Sequence, residues 1–385
     1  MGVSQPQRFQ LDVADEALAD LRERLANTRW PDEVVESGWR YGSNLAYMQG
    51  LVSRWRDGFD WRQQEARFNA FDQFRASLDG IDLHFVHQVG RGPQPLPLLL
   101  LHGWPGSVWE FHELIPRLTD PARFGGDPAD AFTVVAPSLP GFTLSFQPDQ
   151  RRMGVAEMAN LFVRLMVDVL GYRRFAAQGG DWGGYVAGRL VNAHSETLLG
   201  AHLNFLPVPQ DLTWPAEPSD EESAYRDEIR YWQAEEAGYN LIQGTKPQTL
   251  AYALTDSPTG LAAWIAEKFY GWTDRDSDLE PSVGQDWLLT NITLYWVTGA
   301  INSSFWPYFA KRHEPWPVPA TPGGPPVAYA SFPREIRHPP RSLAEQVFNI
   351  RRWTEMPRGG HFAALEAPDL LAADVAAFFR SLRPR

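Results

Sequence analysis

The chain has 385 residues, 44% of them hydrophobic, with 16 Trp and 22 Phe. That suits one large α/β core with additions and is too apolar for a disordered chain. A formal net charge of −12 disfavours a nucleic acid or an anionic membrane as partner, and the absence of cysteine removes disulfides, thiolate metal sites and a cysteine nucleophile.

The opening MGVSQPQRFQ has no basic stretch followed by an apolar run, so no signal peptide is expected. Pro6 also breaks the myristoylation pattern. The longest strongly apolar run, around 98–101, is too short to span a bilayer. With the missing cysteines, these features point to a soluble, cytoplasmic protein.

In chain order, Asp15 is placed to cap a helix carrying Leu18, Leu21 and Leu25 on one face, and Pro31 to end it. IDLHFVHQV, 81–89, alternates like a half-buried strand. LPLLLLHG reads as a buried strand running into a glycine turn at Gly103, and AFTVVAP, 131–137, as a second. Residues 155–170 carry helical periodicity, RFAAQGGDWGG is a short strand breaking into a glycine-rich turn, and helix follows again. This alternation predicts an α/β class with a mostly parallel central sheet flanked by helices. From 207 to 319 the pattern turns helical and holds half of the tryptophans, Trp214 to Trp316, which reads as a helical insertion over the sheet. PVAYASF, 326–332, and FNIRRWTEM, 348–356, return to strand, and AALEAPDLLAADVAAFFRSL closes as an amphipathic helix. Pro/Gly-rich 315–326 is the expected linker out of the insertion. The expected division is 1–95 for an N-terminal arm with the first core strands, 96–206 and 320–385 for the core, and 207–319 for a helical cap.

Gly179-Gly180-Asp181-Trp182-Gly183 has the layout of a nucleophile elbow, a tight strand-to-helix turn whose glycines relieve clashes around the central residue. An aspartate there is already ionised and needs no base to attack. Attack on a carbonyl would leave a reactive anhydride, whereas attack on a saturated carbon leaves an ordinary ester. Asp181 therefore points to an epoxide or an alkyl halide; a plain helix-capping turn is the bland alternative. His102-Gly103-Trp104-Pro105-Gly106-Ser107 resembles the oxyanion-hole loop of the α/β-hydrolase fold, with backbone N–H groups of Trp104 and Trp182 as the expected donors. His361, in Arg358-Gly359-Gly360-His361-Phe362, follows a strand and can activate water. The order nucleophile, acid, histidine requires a carboxylate between them, and Glu335 fits, after the strand PVAYASF; Glu366, close to His361 in sequence but in the following helix, is its rival.

Four strings in order, LRERLANTRWPDE, HGWPGS, GGDWGG and RGGHFAALEAP, resemble the microsomal-type epoxide hydrolases, a branch of the α/β-hydrolase fold, over nearly the whole chain. The resemblance implies that fold with an N-terminal arm and a cap. It also implies two cap tyrosines that hydrogen-bond the epoxide oxygen: Tyr239, in EAGYNLIQGTKP, and Tyr308, in AINSSFWPYF. Tyr225, Tyr231, Tyr252, Tyr270 and Tyr295 are rivals that only the flanking strings set aside. The resemblance implies an N-terminal membrane anchor in animal members; none is expected here, and a soluble enzyme is. The expected reaction is hydrolysis of a hydrophobic epoxide to a vicinal diol, with epoxide and water as partners, no cofactor or metal, and a homodimer left open. Haloalkane dehalogenation by the same Asp181, with indole N–H groups binding halide, and a non-catalytic binding protein on this fold are the alternatives.

Overall fold

A computed structural model describes residues 5–208, 214–275, 283–314 and 323–383. Nine strands form one sheet: β1 (Gln7–Arg8), β2 (Gln73–Leu78), β3 (Ile81–Gln88), β4 (Leu96–Leu101), β5 (Phe132–Pro137), β6 (Phe175–Gly179), β7 (Leu198–Leu203), β8 (Val327–Ser331) and β9 (Ile350–Glu355). Their spatial order is β1-β2-β3-β5-β4-β6-β7-β8-β9. The first four in that order pair antiparallel, and the rest are parallel. The α/β class with a mostly parallel sheet is as the alternation implies. Because β4, β6, β8 and β9 run the same way, the loops after Leu101, Gly179, Ser331 and Glu355 emerge at one edge, where open parallel sheets gather their ligand-binding groups.

Local details differ from the sequence reading for identifiable reasons. Two strands lack an obvious signal: β2 mixes Gln, Arg and Ser into its run, and β7 (LLGAHL) contains a glycine and a histidine. His202 of β7 is tolerated in the core because its Nε2 meets Asp374 at 2.9 Å, and Asp374 also binds Arg352 and Thr354 of β9. β3 does not alternate, since it lies inside the sheet between β2 and β5 and buries both faces. Asp15 does not cap its helix. Ala14 occupies the cap, and Asp15, the first helical residue, pairs with Arg62 instead. That helix stops at Ala26, before Pro31. The last helix is two, Ala363–Glu366 and Pro368–Arg380, because Pro368 has no N–H to continue the first.

The described part of 207–319 is helical and contains no strand. The linker at 315–326 lies mostly outside the described residues, as does Trp316. Helices Asp15–Ala26 and Leu45–Asp57 of the N-terminal region lie against this insertion. Trp55 donates its indole N–H to Thr293 at 2.9 Å, Arg54 forms a bidentate pair with Asp286 at 2.7 and 2.8 Å, and Thr28 meets Thr259 at 2.7 Å. Among the described residues, no helix is long and apolar enough to cross a membrane.

Candidate active site

Asp181 opens the helix Asp181–Ala193 directly after β6 and holds a left-handed backbone, φ +45°. A non-glycine residue keeps that conformation only when its surroundings enforce it. Here they do so through close packing. A Cβ on Gly183 would lie 2.0 Å from the carbonyl oxygen of Leu101, and one on Gly179 would lie 2.4 Å from that of Gly183. The same argument explains Gly103, where a Cβ would come within 2.1 Å of Asp181 Oδ1. Only a bare backbone lets the loop after β4 close over the carboxylate.

That closure aims the Trp104 N–H at Asp181 Oδ1, 2.7 Å away. Trp182, the second expected donor, lies in the first helical turn, where N–H groups have no intrahelical acceptor. The loop is tied from above and below. Asn291 donates to the carbonyl of Pro105 and Tyr295 to that of Gly106, both at 2.8 Å, and Ser107 donates to Asn291. His102 accepts from the Leu139 N–H at 3.1 Å, and burial lowers its pKa to about 4, so it serves as a neutral strut.

His361 follows β9. Its Nε2 lies 3.5 Å from Asp181 Oδ2, and its Nδ1 donates to Glu335 Oε1 at 2.5 Å. Glu335 Oε1 also accepts from the Ile336 N–H at 2.7 Å, which fixes the carboxylate. The loops carrying the two residues are bridged by the Arg334 N–H donating to the Gly359 carbonyl at 3.2 Å. Burial disfavours the imidazolium, but Glu335 and Asp181 outweigh it and hold His361 well above its usual range. Glu366, the rival acid, is turned elsewhere: it accepts from the backbone N–H groups of Asp274 at 2.6 Å and Phe362 at 3.0 Å. Burial pushes it up to about 8, so at neutral pH it does not compete as a charge for His361.

Tyr239 and Tyr308 both reach this centre from the insertion. Each is 5% exposed, and their rings meet edge to face at 5.8 Å. Trp104 stacks on Tyr239 at 5.3 Å and meets Tyr308 edge-on at 5.9 Å. Pro307 lies in the first turn of the helix Trp306–His313, where its missing N–H costs nothing, and so it starts the helix that carries Tyr308. A small cavity of about 40 Å³ has Asp181, Tyr239 and Tyr308 in its wall, and it adjoins a wider one of about 530 Å³ that shares Trp182, Tyr185, Trp232 and Tyr308. Burial raises both tyrosines well above the usual phenol range, so they stay protonated donors. Of the rivals, Tyr231 and Tyr252 are exposed, and Tyr295 is spent on Gly106. The wall also holds groups the sequence reading did not single out: Tyr185, Lys311 and Arg337. Trp272 is another, since its carbonyl accepts the His361 N–H at 2.9 Å and its ring lies 5.0 Å from the imidazole.

The loop bearing Glu335 has its own clamp. His338 Nδ1 meets Glu228 Oε1 at 2.7 Å, and its Nε2 meets the Phe332 carbonyl at 2.9 Å. Both ring nitrogens donate, so the cation is favoured, and the Glu228 hydrogen bond raises the pKa from 6.5 to about 9. A raised folded-state pKa stabilises fully below about 6.5 and loses that contribution as pH rises through 9. His338→Gln should therefore lower the melting temperature at pH 6, with the gap to wild type closing by pH 10. A gap independent of pH in thermal melts would sink this assignment.

Residues 6–111 match the family described as epoxide hydrolase N terminus, and residues 97–226 match the alpha/beta hydrolase fold. A "Putative epoxide hydrolase" of Stigmatella aurantiaca is 44% identical over 98% of this chain and 85% of its own. "Epoxide hydrolase 1" of Oryctolagus cuniculus is 35% identical over 96% and 88%. In three dimensions the chain superposes on an enantioselective mutant of the Aspergillus niger epoxide hydrolase with a TM-score of 0.86 at 30% identity, covering 98% of this chain and 97% of that one. With both ends of the chain matched and the site assembled on that fold, this chain belongs to the epoxide hydrolase family.

Proposed function

We propose that this protein hydrolyses an epoxide with a hydrophobic body to a vicinal diol, through an ester on Asp181. The observation that carries the reading is the placement of one carboxylate between a backbone N–H, an imidazole and a cavity walled by two protonated phenols. Oδ1 is engaged by Trp104, which leaves Oδ2 to attack a ring carbon. The C–O bond breaks as the ester bond forms, and the ring oxygen takes a proton from the tyrosine pair, which recovers it from solvent.

Esterification then changes His361. One of the two carboxylates favouring its cation becomes neutral, so the imidazole gives up its proton more readily and becomes a base. His361, oriented by Glu335, takes a proton from water; the hydroxide adds to the ester carbon, and Oδ1 becomes an oxyanion facing the Trp104 N–H. Collapse expels the diol oxygen, which is protonated by His361; the proton left on the regenerated Asp181 carboxyl restores the imidazolium, and the one His361 gave to solvent on esterification repays the one the tyrosines drew. The role of Trp182 is that of second oxyanion donor.

The dehalogenase alternative has one observation of its own: the indole N–H of Trp104 is buried without a hydrogen-bond partner, and that of Trp182 has only a weak contact with the Tyr308 hydroxyl. Paired tyrosines are superfluous for halide, and we place the epoxide first. Incubation with styrene oxide should give phenylethanediol by chromatography, and Asp181→Ala should abolish it. Halide release from haloalkanes with no diol from a broad epoxide panel would overturn the reading.

A further inference from the structure

The approach to Asp181 is positively charged in a protein that is strongly negative overall. Lys311, Arg312 and Arg337 all line the cavity of about 530 Å³, whose wall contains no carboxylate among the described residues. Lys311 and Arg337 continue into the inner cavity, where Asp181 is the sole acid among the described lining residues.

Arg337 is the telling member. It is 9% exposed, its Nε is buried without a hydrogen-bond partner, and no carboxylate pairs with it among the described residues. Its guanidinium lies 4.3 Å over the Trp232 ring. Stacking occupies a face of the guanidinium, while its N–H donors project in the plane, at the edge. Burying a cation is costly unless an anion or ordered acceptors compensate it. The indole face supplies only part of that. Lys311, across the same cavity, has a hydroxyl for a partner in place of an acid: its Nζ is 2.5 Å from Tyr185 and 4.0 Å from the centre of that ring. The two cations act together on Tyr185. Burial pushes the Tyr185 phenol up, yet Lys311 and Arg337 outweigh burial and pull it below its ordinary value.

We propose that the substrate is an epoxide whose other end carries a carboxylate, bound by Arg337 with Lys311 beside it. The planar N–H edge of Arg337 matches the two oxygens of a carboxylate. Both cavities are also lined by Trp182, Trp232 and Tyr308, and this aromatic surface suits an apolar body linking the two ends. An anionic tail held there fixes the distance of the oxirane from Oδ2 and sets which end of the molecule enters first. The proposal rests on the reading of Asp181 as nucleophile, and the test separates the two.

The probes are 4-(oxiran-2-yl)benzoate and its carboxamide, which share the reacting ring. At neutral pH the kcat/KM ratio of acid to amide should be about tenfold or more, the scale of one charged hydrogen-bonded contact. Arg337→Met should bring the ratio near one, Arg337→Lys should retain part of it, and Lys311→Met should lower it less. Reading a ratio within each variant removes any loss of folded enzyme. In parallel, calorimetry with the unreactive 4-ethylbenzoate and 4-ethylbenzamide reports binding without turnover. A ratio at or below one in the wild type, or one unmoved by Arg337→Met, overturns the proposal while leaving epoxide hydrolysis intact. If neither epoxide is consumed, an Arg337-dependent preference for 4-ethylbenzoate upholds the anion site and refutes the nucleophile assignment. No preference in calorimetry overturns the anion site.

Discussion

His361→Gln should convert the enzyme into one that reacts once and stops. In the proposed mechanism the Asp181 carboxylate attacks without help from a base, so ring opening should survive the substitution, and the protein should gain the mass of the epoxide. Cleavage of the ester has no such independence. Water at neutral pH needs a base, and a positioned base contributes about 10²- to 10⁴-fold. Turnover should fall by that order while the covalent species accumulates. The geometry makes glutamine a fair probe, since His361 is buried and its Nδ1 donates to Glu335 Oε1, a role an amide N–H can assume. Intact mass after rapid quenching, followed by peptide mapping to Asp181, checks the result. Absence of any adduct in a variant that demonstrably binds substrate would refute the two-step route. The substitution also tests the charge argument. In Asp181→Ala the imidazole retains Glu335 but loses the second carboxylate, so its titration, followed by NMR, should move down from the wild-type position.

How much of this was legible before the structure depends on whether the chemistry is written locally. The elbow was, because a tight turn around Asp181 demands glycines at neighbouring positions, and the close contacts at Gly179 and Gly183 show the demand is steric. Glu335 was legible by topology: a carboxylate just after the strand that precedes the histidine strand can reach the same edge of a parallel sheet. Tyr239 and Tyr308 were legible only through resemblance, since nothing in a helix full of aromatics distinguishes a phenol that faces Asp181 from Tyr225, which packs 6.2 Å from Trp214. Arg337 could not be read at all. Two residues from Glu335, it looks like any surface arginine until the fold turns it over Trp232 with no carboxylate paired to it among the described residues. β7 was missed for a related reason. Its histidine argues against a buried strand until Asp374, 172 residues away in sequence, supplies the partner. Long-range compensation of a polar group is the information a local pattern does not contain.

Phenylalanine at both Tyr239 and Tyr308 should remove the other half of the reaction. In the proposed reaction each hydroxyl donates to an oxygen that gains charge only as the ring opens, and removing one such donor costs about 10²- to 10³-fold. The single variants should each lose that much, and the double variant more. Tyr252→Phe, at a site 73% exposed, should leave turnover unchanged. Stability should move the opposite way. The Tyr308 hydroxyl is buried and, beyond weak contacts with Tyr239 and Trp182, makes no well-formed hydrogen bond, so Tyr308→Phe removes a largely desolvated polar group and keeps the ring contacts with Trp104 and Trp182. Its melting temperature should hold or rise as kcat collapses. A fall in both would mean that the tyrosine is a packing element and that activity was lost with the fold. The decisive version combines the two sets. In a His361→Gln background, adduct growth reports ring opening alone. Adding the Phe pair should slow that growth by the same factor that it slows diol formation in the otherwise native protein. If the adduct instead forms at an unchanged rate, the phenols do not act on the epoxide oxygen, and the two cap tyrosines are structural.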